Sequence, residues 1–254
     1  MILGWLAIID GFASLAVALG GVVLASSGAL TPYAAFQIFL LGFLLSIGAV
    51  LFGLVVMFLG RRRANQPTQN RGLAGALLGA MVAVPVLWII FSSAKYPGIN
   101  DITTDYDNPP EFVYAVTLEP NHGRDLKYDK AKYAAAQSGG YGEPAPVLLD
   151  ARPELVFEQV KLAAAGMPDW QITHADPATL TLEGVGTSRL FHFHDDLVVV
   201  VRPTADGKSA VHMRSKSRDG IGDLGVNHKR IRAFQDRLAS AYQAAATPTS
   251  PAAP

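Results

Sequence analysis

Three apolar runs fill the first 95 residues, and each is long enough to cross a bilayer. They read ILGWLAIIDGFASLAVALGGVVLA (2–25), FQIFLLGFLLSIGAVLFGLVVMFLG (36–60) and GLAGALLGAMVAVPVLWIIFSS (72–93). A helix spanning the hydrocarbon core needs about 20 apolar residues. As buried helices of a soluble domain, three such runs would need a far larger polar shell than the rest of this chain offers. The expected arrangement is a three-span domain over 1–95, with Pro85 bending the third helix in a way a bundle tolerates.

Charge sets the orientation. Residues 1–95 hold only Asp10, Arg61, Arg62, Arg63, Arg71 and Lys95. Four arginines fall in the 61–71 connection, RRRANQPTQNR, and none in the 26–35 connection, SSGALTPYAA. Basic residues are retained on the cytoplasmic side. The amino terminus is therefore expected in the cytoplasm and residues 96–254 outside it, which places a multi-pass protein in the cytoplasmic (inner) membrane with a periplasmic domain. LASSGA resembles a signal cleavage site, but the first span lacks a basic start and its apolar run is long.

Small residues recur at spacings of three and four along each span: Gly4, Ala7, Gly11, Ser14, Ala18, Gly21 and Ala25 in the first; Gly42, Ser46, Ala49 and Gly53 in the second; Gly75, Gly79 and Ala83 in the third. Such stripes let backbones approach closely. They fit packing among the three helices and docking onto another membrane protein or a second copy equally well. Asp10 is the one ionisable group inside a span, and an intramembrane acid is costly and marks function by default. It could be protonated, paired with a partner protein, or placed near the interface, the last being the preferred reading.

After Lys95 the composition changes. The remaining charges are 16 basic and 20 acidic, a mildly acidic domain that suits nucleic acid poorly. The chain has no cysteine, which excludes disulfides, thiolate catalysis and cysteine-bound metals. Prolines 97, 109 and 110 make the entry segment extended or turning. A surface wrap over 117–148 holds a short helical piece near 129–137. Arg152–Gly166 reads as a helix with Leu155, Val156, Val160 and Ala163 on one face. Strand patterns follow at Trp170–His174, Thr179–Glu183, Ser188–His194, Leu197–Arg202 and Ala210–Arg218, with Asp195-Asp196 and Asp206-Gly207 as hairpin turns. A last helix runs from about Leu224 to Ala244, capped by Asp223, with Ile231, Phe234, Leu238 and Ala241 buried. The class is α+β: an antiparallel sheet over 96–243 with helices on one face, behind the membrane bundle. The tail 244–254 has a disordered composition.

Three pieces carry a resemblance: INDITTDYDNPPEF (99–112), FHFHDDLVVVV (191–201) and RSKSRDGIGDLGVNHKRI (214–231). They are similar to the domain-of-unknown-function 1499 family over most of 96–243. The resemblance brings no catalytic residue with it, and it adds little to the three-span front.

Gly220, Gly222 and Gly225 spell G-x-G-x-x-G between a strand and a helix. A dinucleotide fold also needs a second parallel strand with an acid about 20 residues on. Only 29 residues follow Gly225, and the preceding strands are antiparallel, so no nucleotide and no cofactor are expected. Arg214, Lys216 and Arg218 alternate and so share a strand face. With the glycine loop at a helix start they could hold an anionic lipid headgroup or phosphate. Against that stands an internal clasp with Asp101, Asp105, Asp107 and Glu111, the preferred reading. His192 and His194 lie two apart on an expected strand and could begin a metal site with Asp195, Asp196, His212 or the 101–107 acids, as a metal-dependent hydrolase would need. H-x-H alone is weak, and a calcium loop's spacing is missing. The function expected is a membrane-anchored, non-enzymatic accessory or assembly protein, contacting the lipid bilayer and a membrane partner.

Overall fold

The computed structural model describes residues 1–246; the end of the tail, 247–254, lies outside the described residues. The chain forms two compact units. One comprises Met1–Ala94 with Arg189–His192, the other Lys95–Ser188 with the rest of the chain.

The first unit is built on α1 (Ile2–Ser26), α2 (Pro32–Arg62) and α3 (Gln66–Ser93), each long and apolar enough to cross a membrane. The arginine-rich connection is mostly helical: Arg61 and Arg62 close α2 and Arg71 lies in the first turns of α3. Thr31 caps α2 by accepting the Ala34 N–H, and Asn65 caps α3 by accepting that of Thr68. Helix α3 continues through Pro85.

The small-residue stripes face inward. Every residue of the α1 stripe is buried, as are Gly42, Ser46, Ala49 and Gly53 on α2 and Gly75, Gly79 and Ala83 on α3. A Cβ placed on Gly42 would lie 2.3 Å from the backbone nitrogen of Ala18, and one on Gly75 would lie 2.3 Å from the carbonyl oxygen of Ala7. The stripes thus bring α1, α2 and α3 into backbone contact with one another. Ser14 and Ser46 satisfy their hydroxyls on the carbonyls of Gly11 and Phe43. Leu44, Leu51, Met81 and Val84 point outward.

The second unit is an antiparallel sheet of six strands with three helices: β1 (Asp101–Thr103), α4 (Lys130–Tyr141), β2 (Val147–Leu149), α5 (Pro153–Ala165), β3 (Trp170–Asp176), β4 (Thr181–Thr187), β5 (His194–Pro203), β6 (Ser209–Ser217) and α6 (Val226–Ala246). The sheet order is β1-β6-β5-β4-β3, and β2 also pairs with β6. Strand β1 takes Arg214–Lys216 and β2 takes Ser209–Val211, so two three-residue strands cover one edge of β6 end to end. Strand β3 forms the opposite edge, and its register shifts between Ile172 and His174.

One sheet face packs on α5 and α6. Val156, Phe157 and Val160 of α5 and Ile231, Phe234 and Leu238 of α6 meet Leu182, Leu197, Val199, Val201, Val211 and Met213. Leu155 is exposed where the sequence pattern places it inside; Phe157 and Ala164 take its place on the buried face. The other sheet face is also covered, by the wrap between β1 and α4, whose Phe112, Ala115 and Leu126 pack on Val198. Glu183 pins this wrap: its buried carboxylate accepts the backbone N–H groups of Val113, Tyr114 and Ala115 at 2.7–2.8 Å.

The hairpin between β4 and β5 differs from the sequence reading. Asp195-Asp196 is no turn; both residues are buried inside β5, opposite Gly186 and Val185 on one side and Ser217 and Lys216 on the other. The turn is Ser188–Phe193, closed by Ser188 N–H to the Phe193 carbonyl and Phe193 N–H to the Ser188 hydroxyl. Two adjacent aspartates favour turns by local propensity, but here the partly buried Arg124, Arg218 and Arg230 that pair with them overrule it. The second hairpin turns at Thr204–Lys208, with Gly207 at φ +82°.

Gly42→Ala in α2 is expected to destabilise the detergent-solubilised protein by about 1–3 kcal/mol through overpacking, read as a lower thermal midpoint. Gly48→Ala, whose Cβ meets nothing within 4 Å, leaves it unchanged.

Candidate functional site

Under the wrap, on the sheet face away from α5 and α6, charged side chains form a row across three strands. Asp101 on β1 lies opposite Lys216 on β6, and Lys216 lies opposite Asp196 on β5. Directly opposed residues on one face of an antiparallel pair have Cβ atoms about 5 Å apart, so carboxylate, ammonium and carboxylate stand side by side. Arg214 and Arg218 flank Lys216 on the same face by the two-residue period of β6.

Asp101 is fully buried and takes two cations. Arg214 donates Nε to Oδ1 at 2.8 Å and Nη2 to Oδ2 at 2.7 Å, and Lys216 donates Nζ to Oδ2 at 2.9 Å. Arg214 is 1% exposed, and its remaining N–H groups reach the carbonyls of Leu126 (2.8 Å) and Pro110 (3.4 Å). The rings of Phe112 and Tyr128 cover its guanidinium at 4.9 and 5.3 Å. Asp196 forms the second node. It accepts Arg218 Nε and Nη2 at 3.0 and 2.7 Å, Arg124 Nη1 at 2.9 Å and Asn121 Nδ2 at 3.2 Å. Asp105 pairs with Arg202 at 3.0 Å and stands 3.7 Å from His212, whose burial, with Arg202, holds its imidazole below the usual histidine range. Asp107 makes an exposed contact with Lys130 at 2.5 Å, and Glu111 is exposed.

The structure therefore divides the basic triplet. Arg214 and Lys216 meet Asp101 of the entry segment, whereas Arg218 meets Asp196. On the opposite sheet face Asp195 pairs with Arg230 of α6 at 2.6 Å. Arg124, Asp195, Asp196 and Arg230 are absent from the basic-triplet pattern because all four come from other segments and the aspartates mimic a turn.

The glycine loop joins β6 to α6. Gly220 and Gly225 have φ of +78° and +83°, and Gly222 stands against Gly98. The carboxylate of Asp223 accepts the N–H groups of Gly225 and Asn227, capping the start of α6. Burial raises its pKa above the usual carboxylate range. Strand β6 runs antiparallel to every neighbour, so the loop does not sit in a βαβ unit.

His192 and His194 do not share a strand. His192 lies in the turn at φ +57°, and His194 begins β5. No group of three or more His, Asp or Glu that could hold a metal ion occurs among the described residues. Asp10 is half-buried on α1 beside Gly11, and no hydrogen bond or ion pair reaches it among the described residues. Gly4 faces the side chain of Arg71, and Asp10 lies six residues further along α1, about 9 Å deeper at 1.5 Å per residue.

A cavity of about 250 Å³ lies between α4, α6 and β1, lined by Gln137, Tyr141, Glu143, His228, Arg232 and Gln235 among others. His228 stacks on Tyr141 with ring centres 4.2 Å apart. Burial pushes the Tyr141 phenol up and, with Arg232 and Lys229, pulls the His228 imidazole below the usual histidine range. Its lining residues come from separate stretches with no shared motif, so no local pattern announces it.

A family model described as "Protein of unknown function (DUF1499)" matches residues 101–238. That span takes in both carboxylate nodes and the glycine loop. No curated protein matches the chain.

Asp101→Asn is expected to cost about 3–5 kcal/mol, because it strands two buried cations. Asp107→Asn, at an exposed pair, leaves stability unchanged. Urea denaturation of the full chain in detergent compares the two.

Proposed function

The chain belongs to the DUF1499 family, and from that premise we propose that it is a membrane-anchored, non-enzymatic accessory or assembly protein, a subunit or stabiliser of a larger membrane complex. The observation that carries this reading is Asp10. A carboxyl about 9 Å beyond the level of Arg71, without a partner among the described residues, is costly in hydrocarbon and calls for a polar group from another chain. Since the glycine stripes hold the three helices to one another, the partner would meet the outer face of α1 beside Asp10.

The location proposed is the cytoplasmic membrane, with the DUF1499 domain in the periplasm. The four arginines at the α2–α3 end support it, against none in the connection from α1 to α2. A periplasm-dependent phosphatase fused after Pro254 should be active; fluorescence from a cytosol-dependent reporter at that position would overturn the placement.

Within the domain, Arg214, Lys216 and Arg218 serve as a clasp rather than as a site for an external anion. Arg214 is buried and its donors point at protein acceptors, so a phosphate would have to displace Asp101 to reach it.

Purification from native membranes in mild detergent tests the main reading. The wild-type chain should migrate as a complex larger than its monomer, and Asp10→Ala should release the monomer with an undiminished thermal midpoint. A wild-type protein that runs as a lone monomer would sink the proposal.

A further inference from the structure

The loop between β6 and α6 presents apolar side chains that the fold of the domain does not use. Ile221 is 91% exposed, Leu224 54% and Val226 41%. The loop is fixed at several points. Asn100 Nδ2 donates to the Gly220 carbonyl at 2.6 Å, and the Asp223 N–H donates to the Ile99 carbonyl at 3.1 Å. A Cβ on Gly225 would lie 2.8 Å from the ring of Tyr96. Leu224 holds a left-handed φ of +52°. Ile221 therefore stands out from a braced loop, where a slack one could fold it away.

The brace is made by Tyr96–Asn100, the first residues after α3. Helix α3 ends at Ser93, and the five residues to Gly98 span at most about 18 Å when fully extended. Whatever the orientation of the domain, covalent continuity keeps this loop near the end of a bilayer-crossing helix. Its surroundings suit an interface. Lys95 and Lys229 are exposed, and each places Nζ 5.1 Å from the centre of the Tyr96 ring. Asp219, where the loop begins, is an exposed acid. Exposed aliphatic tips with a tyrosine and lysines are the mixture that settles at the headgroup boundary.

We propose that Asp219–Val226 is a membrane-interface finger: Ile221 and Leu224 enter the boundary between headgroups and acyl chains of the bilayer that α3 crosses, while Lys95 and Lys229 meet lipid phosphates. The inference rests on the helices crossing a membrane, and it needs no protein partner at Asp10.

The absence of cysteine from the chain makes the test direct. Ile221→Cys and Leu224→Cys are labelled with an environment-sensitive fluorophore, and the purified full chain is reconstituted alone into phosphatidylethanolamine–phosphatidylglycerol vesicles. The control is Leu148→Cys, which is 63% exposed on β2 and pairs with Ala210 at the far end of β6. Spin-labelled lipid should quench the 221 and 224 labels several-fold more than the 148 label, and aqueous iodide should show the reverse order. If iodide reaches position 221 as readily as 148 and spin-labelled lipid does not, the finger is refuted. Protection at 221 in native membranes but not in pure lipid would assign the loop to a protein contact and equally overturn the proposal. Because these vesicles hold no other protein, the result is separate from that of the Asp10 experiment.

Discussion

Asp101 is the carboxylate on which the architecture of the second unit depends. It stands on a three-residue strand with no helix or long ladder of its own, and two cations from β6 converge on it. A guanidinium held through both Nε and Nη2 fixes angle as well as distance. That contact sets where the chain enters the sheet after α3. From there the wrap passes over the sheet, Arg214 donates to the carbonyls of Pro110 and Leu126 within it, and Glu183 collects three of its N–H groups. One arginine thus ties the start, the middle and the end of the wrap to a central strand.

Such an arrangement is not chosen for stability alone. Buried ion pairs recover little more than their desolvation cost, and apolar replacements of similar volume are often as stable. What the two nodes supply is direction. Four cations and two carboxylates from β1, β5, β6 and the wrap can be satisfied together in one register only, because a one-residue slip of β6 would turn Arg214 and Lys216 toward α6. The sheet face under α5 and α6 is set mainly by apolar packing, with Trp170 stacked on Phe234 at 5.3 Å, beside the Asp195–Arg230 pair. The two faces are thus stabilised by different means, and the matched stretch, 101–238, contains both.

Much of this was readable from the residues. The spans follow from apolar length, and their inward faces from glycine and alanine at spacings of three and four, because in hydrocarbon only close backbone approach separates inside from outside. The last helix and the Asp206-Gly207 hairpin follow from period and turn chemistry. The strands β1 and β2 do not: three residues carry no period, and their partners lie 60 or more positions away in sequence. The common face of Arg214, Lys216 and Arg218 is visible from alternation. The carboxylate for Arg218 is hidden, since Asp195-Asp196 has the composition of a turn and only the arginines from elsewhere make it strand. The cavity beside His228 and Tyr141 is invisible for a related reason, as it exists only once α4, α6 and β1 are assembled.

The shift in register along β3 bears on how the domain behaves in company. A protein fixed to a bilayer diffuses in two dimensions and meets its own copies often and in similar orientations. Strand β6 has its outer edge covered by β1 and β2, but β3 ends the sheet among the described residues, and an edge strand could recruit a neighbouring copy. The irregularity between Ile172 and His174 breaks the even spacing that edge-to-edge pairing requires, and such interruptions are a common guard against it. A strand of regular pleat there would offer crowded copies a template for aggregation.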